Sequence, residues 1–360
     1  MALASADAGI VERKAASPSL RFLSTLSRCR EVVFLSHVHP DPDSLGSMLG
    51  LAHLVRAKLQ LPTRMTQDGF IGRAENRAMV SCLDLELIPV EAIDWSPEQG
   101  VVMVDSQPHT GRHTVPSDVP ITAVIDHHDT SGDCSEVPFI DVRADAGATC
   151  TIVTEYLLEQ RVSLPPRIAT ALYYGIDSEL TGYPREGGPL DDAAMQFLYP
   201  HVDKDRLAFI RNARLPHSYF ETLLQGLQNS FIYDKLIISW CGELTQPESV
   251  AEIADFLVRF EEVEWALAAG VYLDHFVLSL RTVRPRAEAG LLLQKVVSGL
   301  GRAGGHDRRA GGSIPLASTA PTAIEQVRAQ VRKRLLEALD IDECRGQRLV
   351  RRRELLQNLI

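Results

Sequence analysis

Three short apolar segments of this chain each end in aspartate or histidine, and this pattern constrains the fold more than any other feature. The segments are EVVFLSHV (31–38), VVMVDS (101–106) and TAVIDHH (122–128). Compact apolar runs of this kind are typical of parallel strands that are buried on both faces. Helical segments follow them, such as SLGSMLGLAHLVRAK (44–58) and PRIATALYYGI (166–176). The alternation predicts a doubly wound α/β domain, in which ligands bind beyond the carboxyl ends of the strands.

The domain organisation follows from a change of pattern near residue 187. A chain of 360 residues is long enough for about two domains. A polar helical stretch comes first, and longer strands flanking a helix come after residue 231. We therefore predict a flexible leader (1–18), the α/β domain (19–186), a helical connector (187–230), a smaller α+β domain (231–340) and a charged C-terminal helix (341–360).

Charge and composition exclude several classes of protein. The formal net charge is -10, whereas a general nucleic-acid binder carries a basic face. The acidic balance favours a short phosphate-bearing ligand at a local site. The six cysteines are scattered without a CxxC pair, which argues against a zinc cluster and is typical of a reducing compartment. We find no secretory signal and no apolar run long enough for a membrane span. We expect a cytoplasmic protein without membrane contact, with a homodimer left open.

The first cluster of reactive residues is HVHPDPDS (37–44). It places the imidazole of His37 and the carboxylates of Asp41 and Asp43 at one strand end. Aspartates at alternate positions point to different sides, so they suit two adjacent cations. The alternative is helix capping by Asp43 or Ser44.

The other two strand ends carry Asp105 and the sequence Asp126-His127-His128. A single aspartate after a strand is often a cap, and a histidine pair is often a surface feature. Adjacent histidines on an extended chain face opposite ways, so we expect one to bind a metal and the other to face a substrate. Three such strand ends together form an acidic cluster that would repel itself without cations. Their combination therefore predicts a metal site.

These segments resemble a known family. HVHPDPDS, VVMVDSQP, VIDHHDT and GATCTIVTEYL resemble, in order, the motifs of the DHH phosphoesterases. The segment GGHDRRAG (304–311) resembles the glycine-rich motif of the DHH-associated domain, and LSLRTV, which contains Arg281, resembles the strand before it. The resemblance covers about residues 20–330 and is strongest to NrnA-type members, which act on short RNA oligomers and on 3'-phosphoadenosine 5'-phosphate.

The resemblance implies a two-metal site, usually for Mn²⁺, with Mg²⁺ as the alternative. His37 and Asp41 would bind one ion, Asp43 and His127 the other, and Asp105 would bridge both. Two such ions activate a water molecule and hold the phosphoryl oxygens, so no serine or cysteine nucleophile is required.

The remaining implied roles concern positioning and substrate binding. Asp126 would orient the metal ligands, and His128 would contact the substrate phosphate. The active site would lie in a cleft between the two domains. The second domain would supply the substrate-binding residues Arg281, Gly304, Gly305, His306 and Arg309.

The chain departs from the family pattern in two places. The family has Gly-Ile-x-x-Asp-Thr, whose aspartate binds the second metal, whereas this chain has Gly-Ile-Asp-Ser-Glu-Leu (175–180). We expect Glu179 to replace that ligand, with Asp177 as the alternative. In the glycine-rich segment, Ala303 precedes Gly304 and Arg309 stands at a small-residue position, so the substrate preference can differ from the family's.

The expected function is a metal-dependent phosphoesterase that hydrolyses short oligonucleotides, 3'-phosphoadenosine 5'-phosphate, or both. The alternatives are a phosphodiesterase for cyclic or linear dinucleotides, and a polyphosphate or pyrophosphate hydrolase. A nucleotide sensor that has lost activity is the alternative outside the enzymes, and only Glu179 favours it.

Overall fold

The computed structural model describes residues 16–128, 132–180, 187–305, 307–342 and 345–350. The chain divides into two compact units. Unit 1 contains residues up to 71 and 75–212, and unit 2 contains residues 72–74 and 213 onward. The boundary lies inside the predicted connector, whose residues are shared between the two units. The connector is therefore not a separate element.

Unit 1 is built on a sheet of six parallel strands. They are β1 (Glu31–Leu35), β2 (Thr63–Gln67), β3 (Leu87–Pro89), β4 (Gln99–Val104), β5 (Ala123–Asp126) and β6 (Phe139–Val142). Their order in the sheet is β3-β2-β1-β4-β5-β6, and every neighbouring pair is parallel. Alternate residues of β4 enter different cores: Val102 and Val104 on one face, Val101 and Met103 on the other. The sheet is buried on both sides, which confirms the predicted doubly wound α/β fold.

Helices accompany the sheet of unit 1. They are α1 (Pro18–Leu26), α2 (Pro42–Leu59), α3 (Ala74–Cys82), α4 (Thr149–Glu159), α5 (Pro166–Leu180), α6 (Pro189–Leu198) and α7 (Lys204–Arg211). Helices α2, α4 and α5 pack closely because of two glycines. A Cβ on Gly46 would lie 2.7 Å from the Cys150 sulfur and 2.8 Å from the Ala171 carbonyl oxygen, and one on Gly175 would also meet that sulfur. Any side chain at either glycine would push these helices apart.

Unit 2 is the predicted smaller α+β unit. Its helices are α8 (His217–Gln228), α9 (Ser249–Leu257), α10 (Ala289–Val297) and α11 (Pro321–Ala338), and its strands are β7 (Ser230–Tyr233), β8 (Leu236–Glu243), β9 (Trp265–Tyr272), β10 (His275–Thr282), β11 (Arg302–Gly305), β12 (Arg309–Pro315) and β13 (Gln347–Arg348). The strand order is β11-β12-β10-β9-β8-β7-β13. Only β8 and β9 pair in parallel among these strands.

Two details of unit 2 correct the sequence predictions. Each long predicted strand is a hairpin, because Asp234 and Leu273 adopt positive φ angles of 47° and 55° and reverse the chain. The predicted helix over 341–360 is wrong for its described part. Helix α11 ends at Ala338, Asp340 follows with φ 56°, and Gln347–Arg348 pairs with β7 instead. A left-handed residue just after the last turn is a common way to end a helix. Residues 351–360 lie outside the described residues.

Candidate metal centre

The predicted site residues of unit 1 come from three strands that are neighbours in the sheet. His37 follows β1, Asp105 follows β4, and Asp126 ends β5, with His127 and His128 directly after it. Since β4 lies between β1 and β5, Asp105 lies between the other two strand ends. The topology therefore brings together side chains that are far apart along the chain.

The Asp105 carboxylate is the central group of the site. Its Oδ2 lies 3.4 Å from His37 Nε2, and its Oδ1 lies 3.5 Å from His127 Nε2 and 3.4 Å from His128 Nδ1. Asp41 Oδ2 lies 3.6 Å from the same His37 nitrogen. The His37 Nδ1 bonds the Val38 carbonyl at 2.8 Å, which directs Nε2 toward the carboxylates. One carboxylate thus joins two groups of potential ligands.

Two hydroxyl groups hold Asp105 in place. Ser44 Oγ donates to Oδ2 at 2.6 Å, and Thr149 Oγ1 donates to Oδ1 at 3.4 Å. Asp105 is 1% exposed and has a φ of 53°, in the left-handed region that few residues other than glycine, asparagine and aspartate occupy. Its orientation is therefore fixed both by its backbone and by its donors.

Asp43 binds the amino end of helix α4. Its two carboxylate oxygens accept from the backbone amides of Thr149 and Cys150, each at 2.7 Å, and Oδ2 lies 3.8 Å from His127 Nε2. The amino end of a helix favours a negative charge, so this contact orients Asp43 within the site. The cap of helix α2 is Asp41, whose side chain accepts from Ser44 N at 3.0 Å. The capping role considered for Asp43 or Ser44 thus belongs to Asp41.

The two histidines after β5 do not face opposite ways, and this expectation was wrong. Their ring centroids are 4.4 Å apart, and both rings approach Asp105. The cause is Asp126, whose Oδ1 accepts from His127 N at 2.8 Å, from His128 N at 3.2 Å and bonds His128 Nδ1 at 2.8 Å. These bonds turn the chain immediately after the strand, so the alternation of an extended strand ends at Asp126.

The two candidate replacements on helix α5 have different surroundings. The Asp177 carboxylate forms an ion pair with Arg211, at 2.6 Å to Nη2 and 3.0 Å to Nε. Glu179 lies within electrostatic range of Asp43 and His127, where its charge raises the pKa of both groups. The charge of Glu179 thus acts on two of the predicted ligands, whereas the Asp177 carboxylate is bonded to Arg211.

The pKa shifts show how strongly the site concentrates negative charge. Burial alone would lower the pKa of His37 and His127, but hydrogen bonds to Asp105 and the charges of the surrounding carboxylates together outweigh burial. They raise the pKa of His37 well above its usual range and that of His127 to about 10. Burial and the charge of Asp105 raise the pKa of Asp43 well above its usual range. Despite its burial, Asp105 keeps a pKa well below its usual range because His127 and His37 bond to it. The carboxylates and imidazoles of the site therefore interact strongly with one another.

These residues fit divalent cations. Two groups offer ligand atoms within 4.8 Å of one another: His37, Asp41 and Asp105 in one, and Asp105, His127 and His128 in the other. The oxygen and imidazole donors suit Mn²⁺ or Mg²⁺. Asp105 belongs to both groups, as a bridging ligand would.

In unit 2 the predicted binding residue Arg281 contacts the carboxylate of Asp255. Arg281 Nε lies 2.5 Å from Asp255 Oδ1, and Arg73 Nη2 lies 3.1 Å from Oδ2. Arg281 also donates to Ser279 Oγ at 2.8 Å. Arg309 pairs with Arg281 across strands β10 and β12. Asp255 thus bonds Arg281 and Arg73, and Arg309 stands opposite Arg281 on the neighbouring strand.

The glycine-rich segment is a hairpin between β11 and β12, where Gly304 pairs with Gly311 and Gly305 with Ala310. Gly305 has a φ of 153°, and a Cβ there would lie 2.5 Å from Ala310 Cα. The hairpin itself therefore requires glycine at 305. His306 lies outside the described residues.

Three supporting residues were missed by the analysis of the sequence: Thr149, Gln107, and Ser44 in its role beside Asp105. Each donates a hydrogen bond to Asp105 or Asp126. Ser44 and Gln107 stand one or two positions after a predicted ligand, and Thr149 begins a predicted helix. Their position beside charged strand ends was the available signal.

A six-stranded parallel sheet with an Asp/His cluster at three neighbouring strand ends defines unit 1 as an α/β domain with a candidate two-metal centre. Residues 31–176 match the family model described as "DHH family, N-terminal domain". This part of the chain therefore matches the DHH family, which confirms the resemblance predicted from the motifs.

Two curated relatives resemble the chain in sequence. An uncharacterized protein of Methanocaldococcus jannaschii is 30% identical over 319 residues, which are 87% of this chain and 65% of that protein. The "probable bifunctional oligoribonuclease and PAP phosphatase NrnA" of Streptococcus mutans is 23% identical over 205 residues, 56% of this chain and 57% of that protein. The matches thus span less than two thirds of the length of either relative.

A solved structure resembles the chain in fold. The exopolyphosphatase-related protein from Bacteroides fragilis superimposes with a TM-score of 0.70 at 15% identity, covering 89% of this chain and 97% of that one. At this identity the likeness concerns the fold alone.

Among the described residues, no helix is long and apolar enough to cross a membrane.

Proposed function

We propose that this protein is a metal-dependent phosphoesterase with two Mn²⁺ ions in unit 1, for which Mg²⁺ is the alternative. The observation that carries the proposal is the position of Asp105 between His37 Nε2, at 3.4 Å, and His127 Nε2, at 3.5 Å. A shared carboxylate between two ligand groups is the arrangement that two adjacent ions need. When bound, such ions lower the pKa of a water molecule and neutralise phosphoryl oxygens.

Each ligand has an assigned place. His37 and Asp41 would hold one ion, Asp43, His127 and Glu179 the other, and Asp105 both. A backbone carbonyl orients His37, and the amino end of helix α4 orients Asp43.

The first and last residues of the Asp126-His127-His128 motif would act on the ligands and the substrate. Asp126 fixes the turn that carries His127 and His128. The His128 imidazole, bonded through Nδ1 to Asp126, would contact the substrate phosphate. A carboxylate bonded to one ring nitrogen sets the tautomer and raises the basicity of the other.

We propose short oligonucleotides and 3'-phosphoadenosine 5'-phosphate as the substrates. The support is the name of the Streptococcus mutans relative, together with the net charge of -10, which disfavours long polyanions. In unit 2, Arg281 and Arg309 would bind substrate phosphate, because a guanidinium group donates two parallel hydrogen bonds to such an anion. The Gly304–Gly305 backbone would bind beside them.

A turnover assay tests the proposal. The protein is stripped of metal, supplied with Mn²⁺ or Mg²⁺, and offered 3'-phosphoadenosine 5'-phosphate, a trinucleotide RNA, a linear dinucleotide, pyrophosphate and polyphosphate. We expect Mn²⁺-dependent release of phosphate or nucleoside monophosphate from the first two. Asp105→Asn should lose this activity, and Asp177→Asn, whose carboxylate pairs with Arg211, should retain it. Turnover in excess chelator, with metal removal verified, would contradict the two-metal site, and a preference for polyphosphate would contradict the nucleotide substrates.

A further inference from the structure

Gln107 is a buried side chain that lies two residues after Asp105 and has no assigned role. It is 3% exposed. Its Nε2 donates to Asp126 Oδ2 at 2.9 Å and to the His128 carbonyl oxygen at 3.1 Å. Its Oε1 accepts from Gly132 N at 2.8 Å. Both polar atoms of the amide are therefore engaged with the segment that follows β5.

These bonds complete the environment of Asp126. The Oδ1 of this carboxylate bonds the His127 amide, the His128 amide and the His128 ring. Gln107 bonds the opposite oxygen, so the carboxylate is held from both sides and cannot rotate without breaking bonds on each. The orientation of the His128 ring thus depends on Asp126, and that of Asp126 depends on Gln107.

Gln107 also holds the far end of the same segment. A Cβ on Gly132 would lie 2.6 Å from Gln107 Cβ and 2.6 Å from the Pro108 carbonyl oxygen. The backbone at residue 132 can approach Gln107 this closely only because it is glycine. The Gln107 side chain therefore contacts both Asp126, at the end of β5, and Gly132, six residues later.

We propose that Gln107 is a positioning residue of the candidate metal centre: through Asp126 and the His128 backbone it sets the orientation of the His127–His128 pair. This inference rests on the proposed function only for its effect on turnover. Burial of an amide costs free energy unless its donors and acceptor form hydrogen bonds. Here the Gln107 amide bonds Asp126, the His128 carbonyl oxygen and the Gly132 amide. Loss of such a supporting contact typically reduces metal affinity or activity about 10–100-fold.

Two substitutions separate the contacts. Gln107→Met keeps the shape and removes all three hydrogen bonds. Gln107→Glu keeps the acceptor for Gly132 N but removes both donors and faces the Asp126 carboxylate with a second one.

Gln99 is a matched control, because it begins strand β4, whereas Gln107 lies beyond the other end of that strand. Its Nε2 donates to Glu31 Oε2 at 3.1 Å and to a backbone carbonyl at 3.2 Å, and its Oε1 accepts from Ser96 N at 2.9 Å. Gln99→Met and Gln99→Glu therefore break the same kinds of bond away from the site.

The first measurement needs neither metal nor substrate. In the metal-free protein, the ring ¹⁵N resonances of His128 and the hydrogen exchange of the Gly132 amide are recorded by NMR. We expect both Gln107 variants to shift the His128 resonances, and Gln107→Met to accelerate exchange at Gly132. The Gln99 variants should leave both unchanged. Unchanged His128 resonances in a folded Gln107→Met protein would overturn the proposal.

The second measurement is Mn²⁺ affinity by calorimetry, with turnover alongside it. Both Gln107 variants should weaken binding of Mn²⁺ about 10–100-fold, and the Gln99 variants should not. Unaltered affinity in the Gln107 variants would also overturn the proposal. If Gln107→Met fails to fold, Gly132→Ala disturbs the same contact from the other side and should shift the same His128 resonances. A wild-type protein that turns over no phosphate ester would contradict the proposed function, while the NMR result would still decide the role of Gln107.

Discussion

Replacing Asp105 by asparagine tests the centre of the site with little change elsewhere. Asparagine has nearly the same volume and is among the few residues that tolerate the left-handed φ of 53° found here. An alanine at this position would add backbone strain to the loss of charge. Asp105→Asn therefore removes the negative charge shared by the two ligand groups and leaves the strand end in its conformation.

The magnitude follows from the histidines that the carboxylate supports. The rise of the His127 pKa from 6.5 to about 10 corresponds to roughly 5 kcal/mol in favour of the charged ring, at about 1.4 kcal/mol per unit. Asp105 is the residue that raises the His127 pKa most. Removing one adjacent opposite charge typically shifts a pKa by about 1–3 units, so we expect the His127 pKa to fall by that amount. We also expect both Mn²⁺ ions to bind at least 10–100-fold more weakly.

The assay combines an NMR titration of the His127 ring in the metal-free protein with calorimetric titration of Mn²⁺. Asp191→Asn is the control, because Asp191 is also fully buried and accepts from Gly147 N, Gly188 N and Thr151 Oγ1. No histidine among the described residues pairs with it. The control should lose stability and, where folded, retain Mn²⁺ binding. A folded Asp105→Asn protein with normal affinity and an unshifted His127 would refute the bridging role and leave Asp105 as a strand-end cap.

Three further predictions follow from the same geometry. Glu179→Ala should weaken Mn²⁺ binding about 10–100-fold while Asp177→Ala leaves it unchanged, and the reverse result in calorimetry would exchange their roles. The raised pKa values of His37 and His127 mean that the folded protein without metal binds extra protons. Its thermal stability should therefore decline as pH rises from 6.5 toward about 10, and Mn²⁺ binding near pH 8 should release protons. A stability that rises over this pH range would contradict the pKa shifts. Arg281→Ala should raise KM for nucleotides more than it lowers kcat, and equal losses on a nucleotide and on a small artificial phosphodiester would exclude a role in substrate binding.

The sequence predicted the sheet and the strand ends of unit 1 because both depend on local signals. Apolar runs identify buried parallel strands, and the carboxyl ends of adjacent strands meet at one edge. The sequence could not decide whether Glu179 or Asp177 is the candidate ligand, since both lie on one turn of α5. The choice depends on Arg211, a residue on another helix whose contact with Asp177 no local pattern reveals.

The errors arose where long-range contacts decide. The turn after β5 is fixed by the Asp126 side chain and by Gln107, which follows strand β4. The tail near Gln347 pairs with β7, more than a hundred residues earlier, although its charge pattern suits a helix. In both cases a distant partner outweighs local preference.

The topology also bears on when the site exists during folding. Its candidate ligands come from segments as far apart as His37 and Glu179, and Asp105 reaches the histidines only when β1, β4 and β5 lie side by side. Pairing between such distant segments makes folding slow. A sheet in which only some of these strands have paired does not yet contain both ligand groups. Metal added to the denatured chain should therefore leave the rate of folding unchanged. Added to the native protein, it should slow unfolding, since the ions stabilise contacts that form after the rate-limiting step.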